Sequence, residues 1–238
     1  MKVSIIQPCF APWLGYFEQM LIGDIFIYMD DVQYTKKDWR NRNQLKSPNG
    51  AKYITVPVKK TNRETLINEV LISYNEPWEE RILNQIDQWY RKAPNYQKGR
   101  QLVENVFKMK SEKLIDLNFH LNNEILKFMG VEKEIKFSSE VPRNSVTKNE
   151  RIVEICKYFK SNLLYDGNSA KKFIDQKLFA NNGIEVIFQD YRQVPYSQQW
   201  GEYLPYMSIL DLLLNITENY KELIITTKHP QLHSELIK

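Results

Sequence analysis

Residues 163–189 constrain this chain's fold more than any other stretch, because they read as strand, helix, strand. Residues 163–165 form a short apolar strand, Asp166-Gly167-Asn168-Ser169 a polar loop, and a helix then runs to about Asn182. Gly183 ends that helix and a second strand covers residues 185–189. Two strands joined by so long a crossover pair in parallel, because only antiparallel strands can be joined by a tight hairpin. The expected fold is therefore an α/β one, with an open, mostly parallel sheet and flanking helices.

The rest of the chain extends this pattern. Residues 3–6 and 25–29 read as buried strands, with a short amphipathic helix over 16–22 between them. A further strand is expected over 53–58, after the Ser47-Pro48-Asn49-Gly50 turn, and Pro57 places it at an edge or an end. Residues 78–130 are helical instead. Trp78, Ile82, Ile86 and Trp89 recur at helical spacing until Pro94, and Leu114, Leu117, Leu121, Ile125 and Phe128 form a second stripe that stops at Gly130. Thr147-Lys148-Asn149-Glu150 is a capping-box pattern opening a helix over 151–159. The expected organisation is one domain over 1–238. It has an α/β half at 1–74, a helical segment inserted at 75–146 and a second α/β half at 147–238.

Composition narrows the function classes. Charged residues make up 26% and hydrophobic ones 42%, as in ordinary globular proteins, so disorder is not expected. The net charge of +4 comes from well-mixed acids and bases, which disfavours non-specific nucleic-acid binding. Cys9 and Cys156 lack metal-ligand spacing, and a reducing compartment is expected. The chain opens on a strand rather than a signal peptide, and no apolar run approaches the roughly 20 residues of a membrane span. A cytoplasmic protein is the expectation. Fourteen Tyr and five Trp fit stacking on a sugar or base, or simple core filling; both readings stay open.

Candidate site residues gather behind the first two strands. Ligands of open α/β sheets bind outside the carboxyl ends of the strands, where the first strand leads into Gln7-Pro8-Cys9-Phe10-Ala11-Pro12-Trp13-Leu14-Gly15-Tyr16. There Gln7 offers a donor and an acceptor, Trp13 and Tyr16 offer flat faces, and Gly15 lets backbone approach a ligand at a helix start. The alternative is a packed, proline-rich connection with Trp13 as a core plug. The second strand ends in Asp30-Asp31. On a strand these carboxylates alternate faces and form no close dyad, leaving Asp31 as a base, a hydroxyl orienter or an acidic turn.

In Lys36-Lys37-Asp38-Trp39-Arg40-Asn41-Arg42-Asn43 an extended backbone puts Arg40 and Arg42 on one face and Asn41 and Asn43 on the other. Arg forks suit phosphate and Asn suits sugar hydroxyls, and basic residues interleaved with Trp39 also suit nucleic acid, against the alternative of a solvated charge run. Farther on, Asp166 and Ser169 flank a helix start that favours an anion, or Ser169 is its N-cap. Asp211, three residues after Ser208, matches an acidic capping box and is a structural residue first and a site residue second. Cys156 lies on an apolar helix face as a structural thiol. His120, His229 and His233 stand outside these motifs, so no Ser-His-Asp, Cys-His or zinc constellation is expected.

The set Gln7-Pro8, Pro12-Trp13, Gly15-Tyr16-Phe17, Asp30-Asp31-Val32 and Asn41-Arg42-Asn43 resembles the WbqC-like protein family. The resemblance continues through Thr55-Val56-Pro57-Val58, Lys92-Ala93-Pro94, Gly183-Ile184, Pro195-Tyr196 and Leu204-Pro205-Tyr206-Met207-Ser208-Ile209-Leu210-Asp211. Some members carry His where this chain has Ile6, so histidine chemistry there is not expected. The resemblance implies a role in O-antigen or other surface-polysaccharide biosynthesis, acting on a nucleotide-linked amino sugar. Acyl or aminoacyl transfer is the favoured reaction, with acyl-CoA or another activated acyl donor. Two other readings are a nucleotidylyltransferase-like enzyme, because Trp13-Leu14-Gly15-Tyr16 occupies the place of that superfamily's HxGH signature without its histidines, and a non-catalytic assembly or nucleic-acid-binding protein.

Overall fold

The computed structural model describes residues 1–229, 231 and 232; His233 lies outside them. In chain order the strands are β1 (Lys2–Ile6), β2 (Ile25–Tyr28), β3 (Arg42–Ser47), β4 (Gly50–Thr55), β5 (Glu134–Phe137), β6 (Leu163–Asp166) and β7 (Glu185–Phe188). The helices are α1 (Leu14–Ile22), α2 (Trp78–Tyr90), α3 (Tyr96–Lys108), α4 (Leu114–Phe128), α5 (Lys148–Tyr158), α6 (Gln176–Asn181), α7 (Ile209–Asn215) and α8 (Tyr220–Ile224).

Five strands form one sheet in the order β5-β2-β1-β6-β7, and each of its pairings is parallel. Strands of such a sheet are apolar on both faces because helices cover both. Here Val3, Ile5, Ile25 and Ile27 pack with Ile152, Ile155 and Cys156 of α5 and Phe179 of α6. Phe26 and Tyr28 face the other way, into a larger core with Phe17 and Met20 of α1 and with the helical segment. The chain moves outward from β1 through β2 to β5, then returns to the other side of β1 with β6 and β7. The direction of winding thus reverses between β1 and β6, which is where ligand crevices open in such sheets.

The inserted helical segment is present, and α4 buries Leu114, Leu117, Leu121 and Ile125 before ending at Gly130, whose φ of 68° suits a residue without Cβ. The Thr147–Glu150 capping box forms as read: the Thr147 hydroxyl accepts from Glu150 N–H, and the Glu150 carboxylate accepts from Thr147 N–H at 2.8 Å.

Three local expectations are corrected. The strand expected over 53–58 starts and ends earlier, as β4, because it pairs antiparallel with β3 across a turn with Gly50 at φ 85°. The run before β3 is not extended: residues 36–41 turn, with Lys37 at φ 56°, so Arg40 and Arg42 do not share a strand face. After β6 the chain makes a 3-10 turn over Asn168–Lys172 and only then the short α6, so Ser169 lies inside a turn and caps no α-helix. Among the described residues no helix is long and apolar enough to cross a membrane.

Candidate functional site

The connection from β1 to α1 is held open by backbone and amide hydrogen bonds rather than by a tight turn. Tyr16 donates its hydroxyl to the Gln7 carbonyl at 3.1 Å, and Asn122 donates to the Cys9 carbonyl at 3.3 Å and to the Tyr28 hydroxyl at 2.8 Å. Asn43 at the start of β3 donates to the Phe10 carbonyl at 3.2 Å. The segment before α7 then threads between the two. Ser208 N–H donates to the Gln44 carbonyl at 2.9 Å, its hydroxyl to the Ala11 carbonyl at 2.7 Å, and Ile209 N–H to the Pro12 carbonyl at 2.8 Å.

These contacts enclose a cavity of about 380 Å³, lined by Cys9, Pro12, Trp13, Tyr16, Trp39, Asn43, Gln44 and Tyr206. The volume suits a sugar-sized or base-sized ligand. Its walls are flat rings and amides. The Trp13 ring meets Tyr206 with centroids 5.7 Å apart and meets Tyr191 edge-on at 5.0 Å. Ala11 (φ 42°) and Tyr206 (φ 62°) adopt left-handed backbone beside it, a strain of the kind that gathers at binding sites. The lining contains no carboxylate, lysine or histidine. Burial pushes the Cys9 thiol up to about 12 and the Tyr16 phenol well above its ordinary value, so both stay protonated at neutral pH. The cavity thus offers flat faces and amides and no ionised side chain of its own.

Trp13, Tyr16 and Asn43, named from the sequence, line this cavity, and Gln7 lies behind it, holding Tyr16 through its carbonyl. Gly15 does not line the cavity and differs from its expectation. The Trp13 ring folds over it, and a Cβ there would stand 2.2 Å from the ring, so Gly15 admits Trp13 rather than a ligand. Arg40 pairs with Asp38 at 3.0 Å, while its Nε is buried with no partner among the described residues. Asn41 clamps backbone by donating to the Val56 carbonyl at 2.8 Å. Arg42 lies over the Tyr53 ring at 4.4 Å and lines a separate cleft.

The remaining candidates stand elsewhere. Asp31 accepts from Arg151, at 3.1 Å from Nε and 2.8 Å from Nη2, and from the Ser138 hydroxyl at 2.5 Å. Arg151 is buried and also donates to the Ser138, Val141 and Pro142 carbonyls and to Glu154, so the pair is a structural joint between the β5 end and α5. The expectation that Asp30 and Asp31 diverge is corrected: they lie beyond β2, and Oδ1 of each is within hydrogen-bond distance of the one Ser138 hydroxyl, at 3.0 and 2.5 Å.

At the end of β6, Asp166 accepts from Gly167 N–H at 2.7 Å, so the backbone donor expected to hold an anion is already taken by a carboxylate. Asp211 is no capping-box residue either. The Ser208 hydroxyl caps Leu210 N–H, while the Asp211 carboxylate is buried and accepts from Tyr90 (2.5 Å), Tyr196 (2.8 Å) and Gln198 (2.9 Å). Burial raises its pKa and these donors oppose the rise.

The model of the WbqC-like protein family matches residues 7–222. The chain belongs to this family. It is also similar to uncharacterized protein Rv1507c of Mycobacterium tuberculosis (strain ATCC 25618 / H37Rv), 33% identical over 218 residues, which cover 90% of this chain and 94% of that one. No solved structure matches.

In this WbqC-like protein the quoted motifs are sequence-distant but meet in space: Pro12-Trp13, Asn43 and Tyr206 to Ile209 all touch the cavity or the strands that bound it. Sequence reading missed Trp39, Gln44 and Tyr206 as wall residues. Trp39 stood inside the basic run, where it suited nucleic acid, and Tyr206 inside the closing motif; neither pattern placed its ring in a cavity wall.

Proposed function

We propose that the protein modifies a nucleotide-linked amino sugar for surface-polysaccharide biosynthesis, in the cytoplasm, by acyl or aminoacyl transfer. The observation that carries this reading is the cavity of aromatic faces and amides without an ionised side chain. Flat apolar rings suit the faces of a sugar or base, and Asn43 and Gln44 suit hydroxyl and amide groups. A nucleophile need not come from the protein when the substrate carries an amine. The amine nitrogen forms the new bond to the acyl carbon, the donor's leaving group departs with the bonding pair, and the amine's proton goes to solvent or to the leaving group. Positioning then supplies most of the rate. Acyl-CoA is one donor of the required class. The family's association with O-antigen and related polysaccharides is the other support.

Nucleotidylyl transfer is a second reading, favoured by one observation. Numbered by their order in the sheet's chain path, the five parallel strands run 3-2-1-4-5, as in nucleotide-binding α/β folds, and Trp13 to Tyr16 sit at the first strand–loop–helix step. Against it, the Trp13 ring occupies the space over Gly15 at the α1 start.

A thermal-shift panel separates these. Nucleoside diphosphate amino sugars should stabilise the protein, by about 2.7 kcal/mol at 100 times the dissociation constant. Stabilisation by free nucleoside triphosphates alone would favour nucleotidylyl transfer, and stabilisation by oligonucleotides alone a nucleic-acid-binding protein. No shift with any nucleotide sugar would remove the proposal.

A further inference from the structure

Beside the aromatic cavity, across the β3–β4 hairpin, lies a second cleft of about 320 Å³. Five cationic side chains line it, Lys36, Lys37, Arg42, Lys59 and Lys60, and no carboxylate does. None of the four lysines makes a salt bridge among the described residues. Like charges gathered in one concave place repel one another, so the arrangement is stabilised by an anion between them.

The floor of the cleft gives a second, independent sign. Tyr34 and Thr61 line it and are 5% and 8% exposed, yet neither hydroxyl has a hydrogen-bond partner among the described residues. A buried hydroxyl without a partner is destabilising, so native structures satisfy nearly all of them. Two hydroxyl donors under a ring of ammonium and guanidinium groups match the several acceptor oxygens of a phosphate.

The cleft and the aromatic cavity lie along the same hairpin. Gln44 walls the cavity and pairs across the hairpin with Tyr53; Arg42 walls the cleft and pairs with Thr55. These are successive pairs on one hairpin face, about 7 Å apart at two residues' rise. Trp39, Tyr53 and Arg42 bridge the interval, with centroids 6.3 Å apart for the rings and the guanidinium 4.4 Å above Tyr53.

We infer that this cleft binds a diphosphate, held by Lys36, Lys37, Arg42, Lys59 and Lys60 above the Tyr34 and Thr61 hydroxyls. That the diphosphate belongs to the ligand whose ring fills the aromatic cavity rests on the function proposed above. Affinity for the diphosphate group does not.

The test is calorimetric titration of the full chain with inorganic pyrophosphate and, separately, a nucleoside diphosphate sugar and a single-stranded oligonucleotide. Pyrophosphate should bind the native protein, more weakly as salt rises, and at least tenfold more weakly in Lys59→Ala/Lys60→Ala and in Tyr34→Phe. The two lysines are exposed, and Tyr34→Phe removes only an unpartnered hydroxyl, so the fold should survive both changes. Tyr206→Gly, which alters the aromatic cavity alone, should leave pyrophosphate affinity unchanged. Failure of pyrophosphate to bind, equal binding by the cleft variants, or tighter binding of oligonucleotide than of pyrophosphate would overturn the inference. Pyrophosphate binding without nucleotide-sugar binding would leave this site standing and remove the proposed function. Nucleotide-sugar binding unaffected by Lys59→Ala/Lys60→Ala would leave the proposed function standing and remove the assignment of this cleft to that ligand's diphosphate.

Discussion

At Asp166 the carboxyl group closes the end of β6, and burial pushes its pKa up to about 6 against the opposing pull of Gly167 N–H and Lys148. In the unfolded chain the same group ionises near 4. Between those values the folded state holds more protons than the unfolded one, so this group's contribution to stability falls as pH climbs from about 4 to about 6 and stays low above that. Asp166→Asn keeps the acceptor for Gly167 N–H and removes the ionisation. The variant should match the native protein at pH 4 and exceed it by about 1–3 kcal/mol at pH 8, measured by urea denaturation at the two pH values. Asp31 has a different task. Its carboxylate is bound by a buried arginine that has every donor occupied, so it joins the end of β5 to α5.

At the scale of elements, the cavity depends on β3, α2 and α7 holding their places, and Asp211 links all three. Its carboxylate accepts from Tyr90 of α2, and the Tyr90 oxygen in turn accepts from Lys46 N–H of β3 at 2.8 Å. Asp211→Ala strands two buried phenols and removes one of the two acceptors of the Gln198 amide. At about 1–3 kcal/mol per stranded donor the loss should reach about 3 kcal/mol or more, read as a lower urea midpoint with unchanged slope.

Much of this level was legible in the residues. The 163–189 pattern required a parallel pair, the stripe of Leu114 to Ile125 marked α4, and Thr147 with Glu150 marked the start of α5. The hairpin register was not, because Arg42, Gln44 and Lys46 are polar residues on a strand whose alternation therefore carries little hydrophobic signal. Asp211 was misread for a related reason: its spacing from Ser208 fits a cap, while its actual partners, Tyr90 and Tyr196, are set by tertiary packing that local spacing does not encode.

Across the whole molecule, the candidate site joins segments from both ends of the chain beyond the carboxyl end of the central strand β1. Gln7 to Tyr16 leave β1, Trp39 to Gln44 enter β3, and Tyr206 to Ile209 pass between them. The individual residues of the first two segments could be named from sequence, because prolines, aromatics, arginines and asparagines are chemically pointed. Their division of labour could not. Asn41 and Asn43 turn out to clamp backbone, Gly15 to seat Trp13, and the lysines at 59 and 60 to join those at 36 and 37, because β4 brings its carboxyl end back beside the turn before β3.

The central claim is that the cavity between these segments binds the sugar-bearing ligand. Tyr206 tests it cleanly, since it is 62% exposed, sits at φ 62° and forms a wall of the cavity. Glycine adopts that backbone without strain, so Tyr206→Gly should hold its stability within about 1 kcal/mol of native. Calorimetric titration with a nucleoside diphosphate amino sugar should then give binding to the native protein and at least a tenfold loss in Tyr206→Gly. Equal affinity in the two proteins would contradict the account.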